Sequence, residues 1–207
     1  MEHWEYLKPD GLRFVWDDTL FRPGTDSFLL SSLPKLSAGL RVCDLGCGTG
    51  LLGLLLLQRQ SELTVTGIDI QPAAVALAER AAAENRLTDR LTFQSIDLRQ
   101  VRQHFSTGSF DLVVSNPPWF REGGGYSGGP ARCEERCSME QLCAAAGRLV
   151  KNGGRAALVH RPERLPERFA QLRGVSLEPK RMRLVQHSPD APPSAVLVEA
   201  VRQGRPG

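Results

Sequence analysis

The sequence predicts an α/β fold built on a mostly parallel sheet. Two observations carry this. From about residue 40, short apolar runs alternate with helix-forming segments, the pattern of strand–helix–strand units. Several of those runs end in Asp or Asn, at the carboxyl ends of strands, where open parallel sheets bind ligands. With 207 residues, 41% of them hydrophobic and 24% charged, the chain suits one compact domain with an ordinary core.

Residues 1–39 stand outside the alternation and read as a cap, part of the same domain, over the side where a ligand would bind. Within them, Tyr6–Trp16 suits a strand or hairpin, and Phe21–Asp26 leads into an apolar helix. Residues 40–207 carry the main fold. Leu40–Leu45 is a short apolar strand running into Gly46-Cys47-Gly48-Thr49-Gly50, and a leucine-rich helix follows to about Gln60. Leu63–Ile70 is the second strand. Pro72 suits the first turn of the helix after it, and Ala73–Glu84 is strongly helix-forming.

Leu91–Ile96 is a third strand ending at Asp97, and Phe110–Ser115 a fourth ending at Asn116-Pro117-Pro118-Trp119. Residues 121–131 hold five glycines and a proline, the composition of a mobile loop. Ser138 is placed to cap a helix running to about Val150, with Gly153-Gly154 as its stop. Arg155–His160 is a fifth strand and Pro162–Leu172 a helix. Arg181–Gln186 and Ala195–Val201 close the fold as an antiparallel pair.

Composition excludes several function classes. Met1-Glu2-His3-Trp4-Glu5 has neither the basic nor the apolar region of a signal peptide. The longest apolar stretch, Leu51–Leu57, is too short to span a bilayer, so a cytoplasmic protein without membrane contact is expected. Five cysteines, an odd number, read as thiols in a reducing compartment. The spacing of Cys133, Cys137 and Cys143 matches no familiar zinc signature, so no metal is expected. The net charge is only +3, yet Arg148–Arg183 carries ten Lys or Arg against three Glu. That excess fits either a docking face for a polyanion or a solvated basic surface.

Three constellations carry chemistry. The first is Asp44 followed by the Gly46-x-Gly48-x-Gly50 turn. Glycines there let a ligand lie on bare backbone. A carboxylate beside the turn would repel a pyrophosphate, but it suits the cationic sulfonium and amino group of S-adenosylmethionine. The second is Asp69, nineteen residues past Gly50, where an acid can accept both ribose hydroxyls of a nucleoside cofactor. Asp97 ends the next strand and is placed to accept an adenine amino group, with Ile70 and Ile96 as candidates to sandwich the ring.

The third is Asn116-Pro117-Pro118-Trp119. An amino group conjugated to a ring or carbonyl is a poor nucleophile because its lone pair is delocalised. The Asn116 side-chain oxygen and the Pro117 carbonyl can each accept one of its N–H bonds, favouring a pyramidal nitrogen aimed at a methyl donor. Pro117 and Pro118 stiffen the turn, and Trp119 can stack on a flat target, worth about 1–3 kcal/mol for a base.

Taken together, the Asp44–Gly50 turn, Asp69, Asp97 and the Asn116–Trp119 tetrapeptide resemble the amino-methylating class I methyltransferases. Within that group the chain is similar to the bacterial tRNA1(Val) (adenine-37) N6-methyltransferases. Phe21–Ser27, Ala131–Glu134, His160–Leu165 and Glu178–Arg181 support the narrower likeness, which spans about residues 6 to 205. The resemblance implies a Rossmann-like seven-stranded sheet, mostly parallel with an antiparallel last strand and helices on both faces. It implies S-adenosylmethionine as cofactor, S-adenosylhomocysteine as product and a tRNA adenine as target. It also implies that Thr25 and Asp26 lie near the methionine end of the cofactor and that residues 121–136, with Arg132, close over the base. Trp119 departs from the family's usual Tyr or Phe: stacking survives, a Tyr hydroxyl contact does not. Cys133 stands where relatives often carry His, and relatives tend to continue past the last strand.

Rival acceptors share the tetrapeptide: a release-factor glutamine amide, a ribosomal RNA guanine or a DNA adenine. A non-catalytic cofactor- or RNA-binding module and an NAD-dependent dehydrogenase are further readings. The intact Asn116-Pro117-Pro118 argues against the module, Asp44 against the dehydrogenase. Arg161, Arg164, Lys180 and Arg181 are the candidates for docking RNA phosphates, unless the guanidiniums pair instead with Glu163 or Glu167. A monomer is expected.

Overall fold

The computed structural model describes residues 1–20, 23–117 and 138–206. The chain opens with a hairpin of β1 (Glu2–Tyr6) and β2 (Arg13–Asp17), followed by the short helix α1 (Thr25–Ser31). Alternation then begins: β3 (Arg41–Leu45), α2 (Leu51–Arg59), β4 (Thr64–Asp69), α3 (Pro72–Glu84) and β5 (Leu91–Ser95). A 3-10 turn and the one-turn helix α4 (Val101–His104) lead to β6 (Phe110–Ser115). After α5 (Met139–Leu149) come β7 (Val150–His160), α6 (Leu165–Gly174), β8 (Leu177–Val185) and β9 (Ala195–Arg202).

Seven of these strands form one sheet in the order β5-β4-β3-β6-β7-β9-β8. Only β9 runs against its neighbours, pairing antiparallel with both β7 and β8. The mostly parallel α/β sheet with a reversed last strand is therefore as expected. Strand order reverses between β3 and β6, which opens a crevice at their carboxyl ends.

Apolar side chains on the two sheet faces form two clusters. One, with α1, α2 and α3, includes Val42, Leu52, Leu56 and Val65; the other, with α5 and α6, includes Cys43, Leu45, Ile68, Leu149 and Leu172. Cys43 and Cys47 behave as small apolar core residues, and Cys143 lies buried within α5. Helix α2 explains the hairpin. It buries Leu51, Leu52, Leu54, Leu55, Leu56 and Leu57, so it is apolar all round and needs cover on its outer side. Phe14, Val15 and Trp16 of β2 join the same cluster and supply it, each such side chain contributing ~1.5–3 kcal/mol when removed from water. Asn85 at the end of α3 locks the hairpin by accepting from the Arg13 N–H at 2.8 Å and donating to the Arg13 carbonyl at 2.6 Å.

Ser138 caps α5 as expected, in a capping box with Gln141. Its far end differs: the helix stops at Leu149, β7 starts at once, and pairing jumps from Phe110–Val150 to Leu112–Arg155. Gly153-Gly154 thus belong to a bulge rather than a helix stop, with Gly153 at φ 74°. A Cβ on Gly154 would stand 2.8 Å from the Asp111 carbonyl, so the glycine permits the close approach. Strand β8 begins four residues earlier than expected, at Leu177. Pro179 is tolerated there because β8 is the sheet edge and carries a register shift at that point. Among the described residues, no helix is long and apolar enough to cross a membrane, and no three His, Cys, Asp or Glu are grouped to hold a metal ion.

Candidate active site

The site is built where β3 and β6 end side by side. Gly46, Gly48 and Gly50 all adopt positive φ, at 73°, 54° and 81°, the left-handed conformation that favours glycine. They divide the labour. A Cβ on Gly50 would press to 2.6 Å from the Phe93 ring, so this glycine lets α2 pack. Among the described residues, a Cβ on Gly46 or Gly48 would meet nothing within 4 Å; that backbone can serve as a cradle for a ligand. The turn is pinned by Gly46 and Cys47, whose N–H groups both donate to the Ile68 carbonyl at 2.8 and 3.0 Å.

The three strand-end acids lie in different states. Asp44 is buried at 1% exposure, and its Oδ2 has no hydrogen-bond partner among the described residues. Burial, reinforced by the negative charge of Asp69, raises its pKa from 3.8 to about 8. A buried carboxyl with an idle acceptor is a cost in the bare protein and a fit for a cation. Asp69 is held rigidly, accepting from the Gly48 N–H through Oδ2 and the Gln71 N–H through Oδ1, both at 2.9 Å. Each oxygen keeps a second lone pair for a hydroxyl donor. Asp97 accepts from the Arg99 N–H at 2.9 Å and binds the Arg99 guanidinium through both oxygens. That ion pair holds its pKa below the ordinary value. Ile70 is 44% exposed and offers an open apolar face, whereas Ile96 is packed into the core.

On the other side of the crevice, Ser115 donates to the Leu45 carbonyl at 2.7 Å, which ties the ends of β6 and β3 together. Asn116 follows directly, and its Nδ2 donates to the Ser27 hydroxyl of α1 at 3.0 Å. Thr25 opens α1. Asp26 is half-buried; desolvation raises its pKa and the positive charge of Arg161 opposes the rise. So α1 and the start of the post-β7 segment converge on the site. Pro117 is buried; Pro118, Trp119, Arg132, Cys133 and Cys137 lie outside the described residues, as does the 121–136 loop.

The basic residues are largely engaged. Arg164 binds Glu167 through two nitrogens at 3.0 and 2.9 Å, one of the two pairings open to it from sequence. Arg181 lies 3.3 Å from Glu199, which Arg155 also binds at 2.7 Å. Lys180 donates to the Arg205 carbonyl. Sequence reasoning missed Ser27, Arg99 and Glu199 as partners. Arg99, two residues from Asp97, was the one a local signal could have found. Ser27 is 89 residues from Asn116, and no spacing rule links them.

The family model "Methyltransferase small domain" matches residues 21–173. The chain belongs to that family. Within it, the protein is 33% identical over 198 residues to the tRNA1(Val) (adenine(37)-N6)-methyltransferase of Porphyromonas gingivalis, a match covering 90% of this chain and 78% of the relative. Among solved structures, a predicted O-methyltransferase from Agrobacterium tumefaciens superposes with a TM-score of 0.73 at 22% identity, over 87% of this chain and 82% of the other. A geranyl diphosphate C-methyltransferase from Streptomyces coelicolor, solved with S-adenosyl-L-homocysteine, superposes with a TM-score of 0.60 at 16% identity, over 84% and 76%. These two likenesses are of fold. As a member of the methyltransferase small domain family, the protein is an S-adenosylmethionine-dependent methyltransferase. The open cradle at Gly46 and Gly48 and the idle acceptor of Asp44 fit that cofactor.

Proposed function

We propose that the protein methylates the exocyclic N6 amine of an adenine in tRNA, adenine 37 of tRNA1(Val) by kinship with its relatives. The observation that carries the chemistry is Asn116, fixed at the end of β6 by Ser115 and Ser27 beside the Asp44–Gly50 turn. Asp44 would face the cationic methionine end of the cofactor, with Thr25 and Asp26 close by; Asp69 would accept the ribose hydroxyls; Ile70 and Asp97 would hold the adenine ring and its amine.

S-adenosylmethionine, when bound, supplies an electrophilic methyl on its sulfonium. The chain's own residues prepare the acceptor. Asn116 Oδ1 and the Pro117 carbonyl accept the two N–H bonds of the target amine, which draws the nitrogen out of conjugation and directs its lone pair. Attack would form the N–C bond as the methyl–sulfur bond breaks, its electron pair leaving on sulfur to give S-adenosylhomocysteine. The nitrogen is left cationic and strongly acidic, and its extra proton passes to water; no general base is needed beforehand. Trp119 would stack on the base, and Arg132 would lie over it. Arg161, Arg164, Lys180 and Arg181 are proposed to dock the RNA, the basic excess of this stretch being the support. The base must leave its stack to reach the site, as in other base-modifying enzymes.

Tritiated methyl transfer to tRNA lacking its own modifications, followed by nucleoside analysis, tests this. The expected result is labelled N6-methyladenosine, formed about 10²–10³-fold more slowly with Asn116→Ala. Label appearing only on release factor, ribosomal RNA or DNA would overturn the tRNA assignment and keep the amine chemistry.

A further inference from the structure

The Asn116 side chain has to present oxygen, not nitrogen, to its substrate. Its terminal torsion is soft, and its two edges are nearly the same size. With the amide turned over, an NH2 group would meet the N–H bonds of the target amine, donor against donor. The residue before it is tied to the end of β3 by the Ser115 hydroxyl, which donates to the Leu45 carbonyl at 2.7 Å. The amide plane is a separate freedom, and among the described residues a contact addresses it: Asn116 Nδ2 to Ser27 Oγ, 3.0 Å.

Ser27 is well suited to hold a group in place. It is buried at 7% exposure in the first turn of α1. That helix is anchored from the side by Arg59 at the end of α2, which donates to the carbonyls of Ser31 and Pro34. A hydroxyl has two lone pairs, so Ser27 can accept from the amide nitrogen while Asn116 Oδ1 faces the crevice. We propose that Ser27 is a positioning residue for methyl transfer: it tethers the nitrogen edge of the Asn116 amide and thereby aims Oδ1 at the acceptor amine. The same contact joins α1, which carries Thr25 and Asp26, to the acceptor motif, so the cofactor side and the acceptor side are set by one helix. This inference rests on the amine-methylating reading of Asn116 given above.

The test compares wild type with Ser27→Ala and with Ser27→Cys, which is nearly isosteric but a poor acceptor, each in the presence of S-adenosylmethionine. Nuclear magnetic resonance follows the Asn116 side-chain NH2 signals, assigned by their loss in Asn116→Ala. In both variants these signals should shift and exchange faster with solvent. On tRNA, kcat should fall roughly tenfold, the rate equivalent of one hydrogen bond. Cofactor affinity and melting temperature should hold, and Ser27→Thr, which keeps the hydroxyl, should retain most of the rate. Unchanged NH2 signals, or an unchanged kcat in an active enzyme, would overturn the proposal. So would parallel losses of cofactor affinity and rate in Ser27→Cys, which would mark a packing role for α1. If wild type methylates no tRNA, the substrate assignment fails, and the NH2 signals still decide the tether.

Discussion

The cofactor half and the RNA-docking half of the proposed site are prepared in opposite ways. On the β3–β5 side, Asp44 is buried with an oxygen left idle and a pKa pushed up to about 8. On the β7–β8 side the basic residues come with partners, Arg164 on Glu167 and Arg181 on Glu199. The first half keeps a buried acceptor open for a cation; in the second, Arg164 and Arg181 already have carboxylate partners and have to trade them to hold a phosphate. A buried carboxyl is costly to ionise without a partner, and a cation would supply one. The Arg164–Glu167 pair is largely exposed and worth little, whereas the pair on the fully buried Glu199 is costly to break. Cofactor binding should therefore depend strongly on one carboxyl, and RNA binding weakly on many side chains.

Asn116→Ala should separate the halves most sharply. Removing one positioned acceptor should cost about 10²–10³ in kcat, by analogy with loss of one oxyanion-hole group, with cofactor binding by calorimetry unchanged. Equal loss of both would mean that the halves are not independent.

Asp44→Asn comes next. It keeps the shape and removes the charge, so S-adenosylmethionine should bind roughly 10–100-fold more weakly, the cost of a charge-assisted contact. The bare variant should melt higher than wild type. The sign with pH follows from the raised pKa: folded Asp44 holds its proton up to about 8, while the unfolded carboxyl releases it near 3.8. Its contribution to stability is fully present below that lower value and is lost as pH climbs towards 8. Melting curves of the bare protein should show this decline, and saturating cofactor should flatten it. Cofactor affinity should rise over the same window, because binding favours the carboxylate. An affinity that is flat from about pH 6 to 8 would remove Asp44 from the cofactor's cationic end.

Neutralising Arg161, Arg164, Lys180 and Arg181 to Gln should weaken tRNA binding by tens of fold at low salt. For every phosphate no longer neutralised, the slope of log affinity against log salt should become shallower by ~0.7–0.9. An unchanged slope would assign all four to structure. The smallest effect belongs to Glu167→Gln. Removing this one partner of Arg164, which also touches the buried Arg168, should tighten tRNA binding by no more than about fivefold, the range of an exposed pair. Weakened binding would show that the Arg164–Glu167 pair acts as a unit.

The order of strands and helices from β3 onward is legible in the chain itself, because apolar periodicity and turn residues are local signals. The start of β8 and the task of Gly153-Gly154 are not, since an edge strand tolerates a proline and a bulge looks like a helix stop. The strand-end acids, the glycine turn and the Asn116-Pro117 step are legible for the same reason as the strands: each lies where its own strand ends. Their states are not. That Asp44 is orphaned while Asp97 is bound by Arg99, that Arg161 bears on Asp26, and that Glu199 gathers Arg155 and Arg181 depend on burial and on neighbours distant in the chain. The sequence alone determined which chemical groups are present and on which strand ends they stand. Only the tertiary structure decided which are charged, which are already engaged and which, like Ser27 with Asn116, hold one another in place, because these depend on dielectric and distance across the fold.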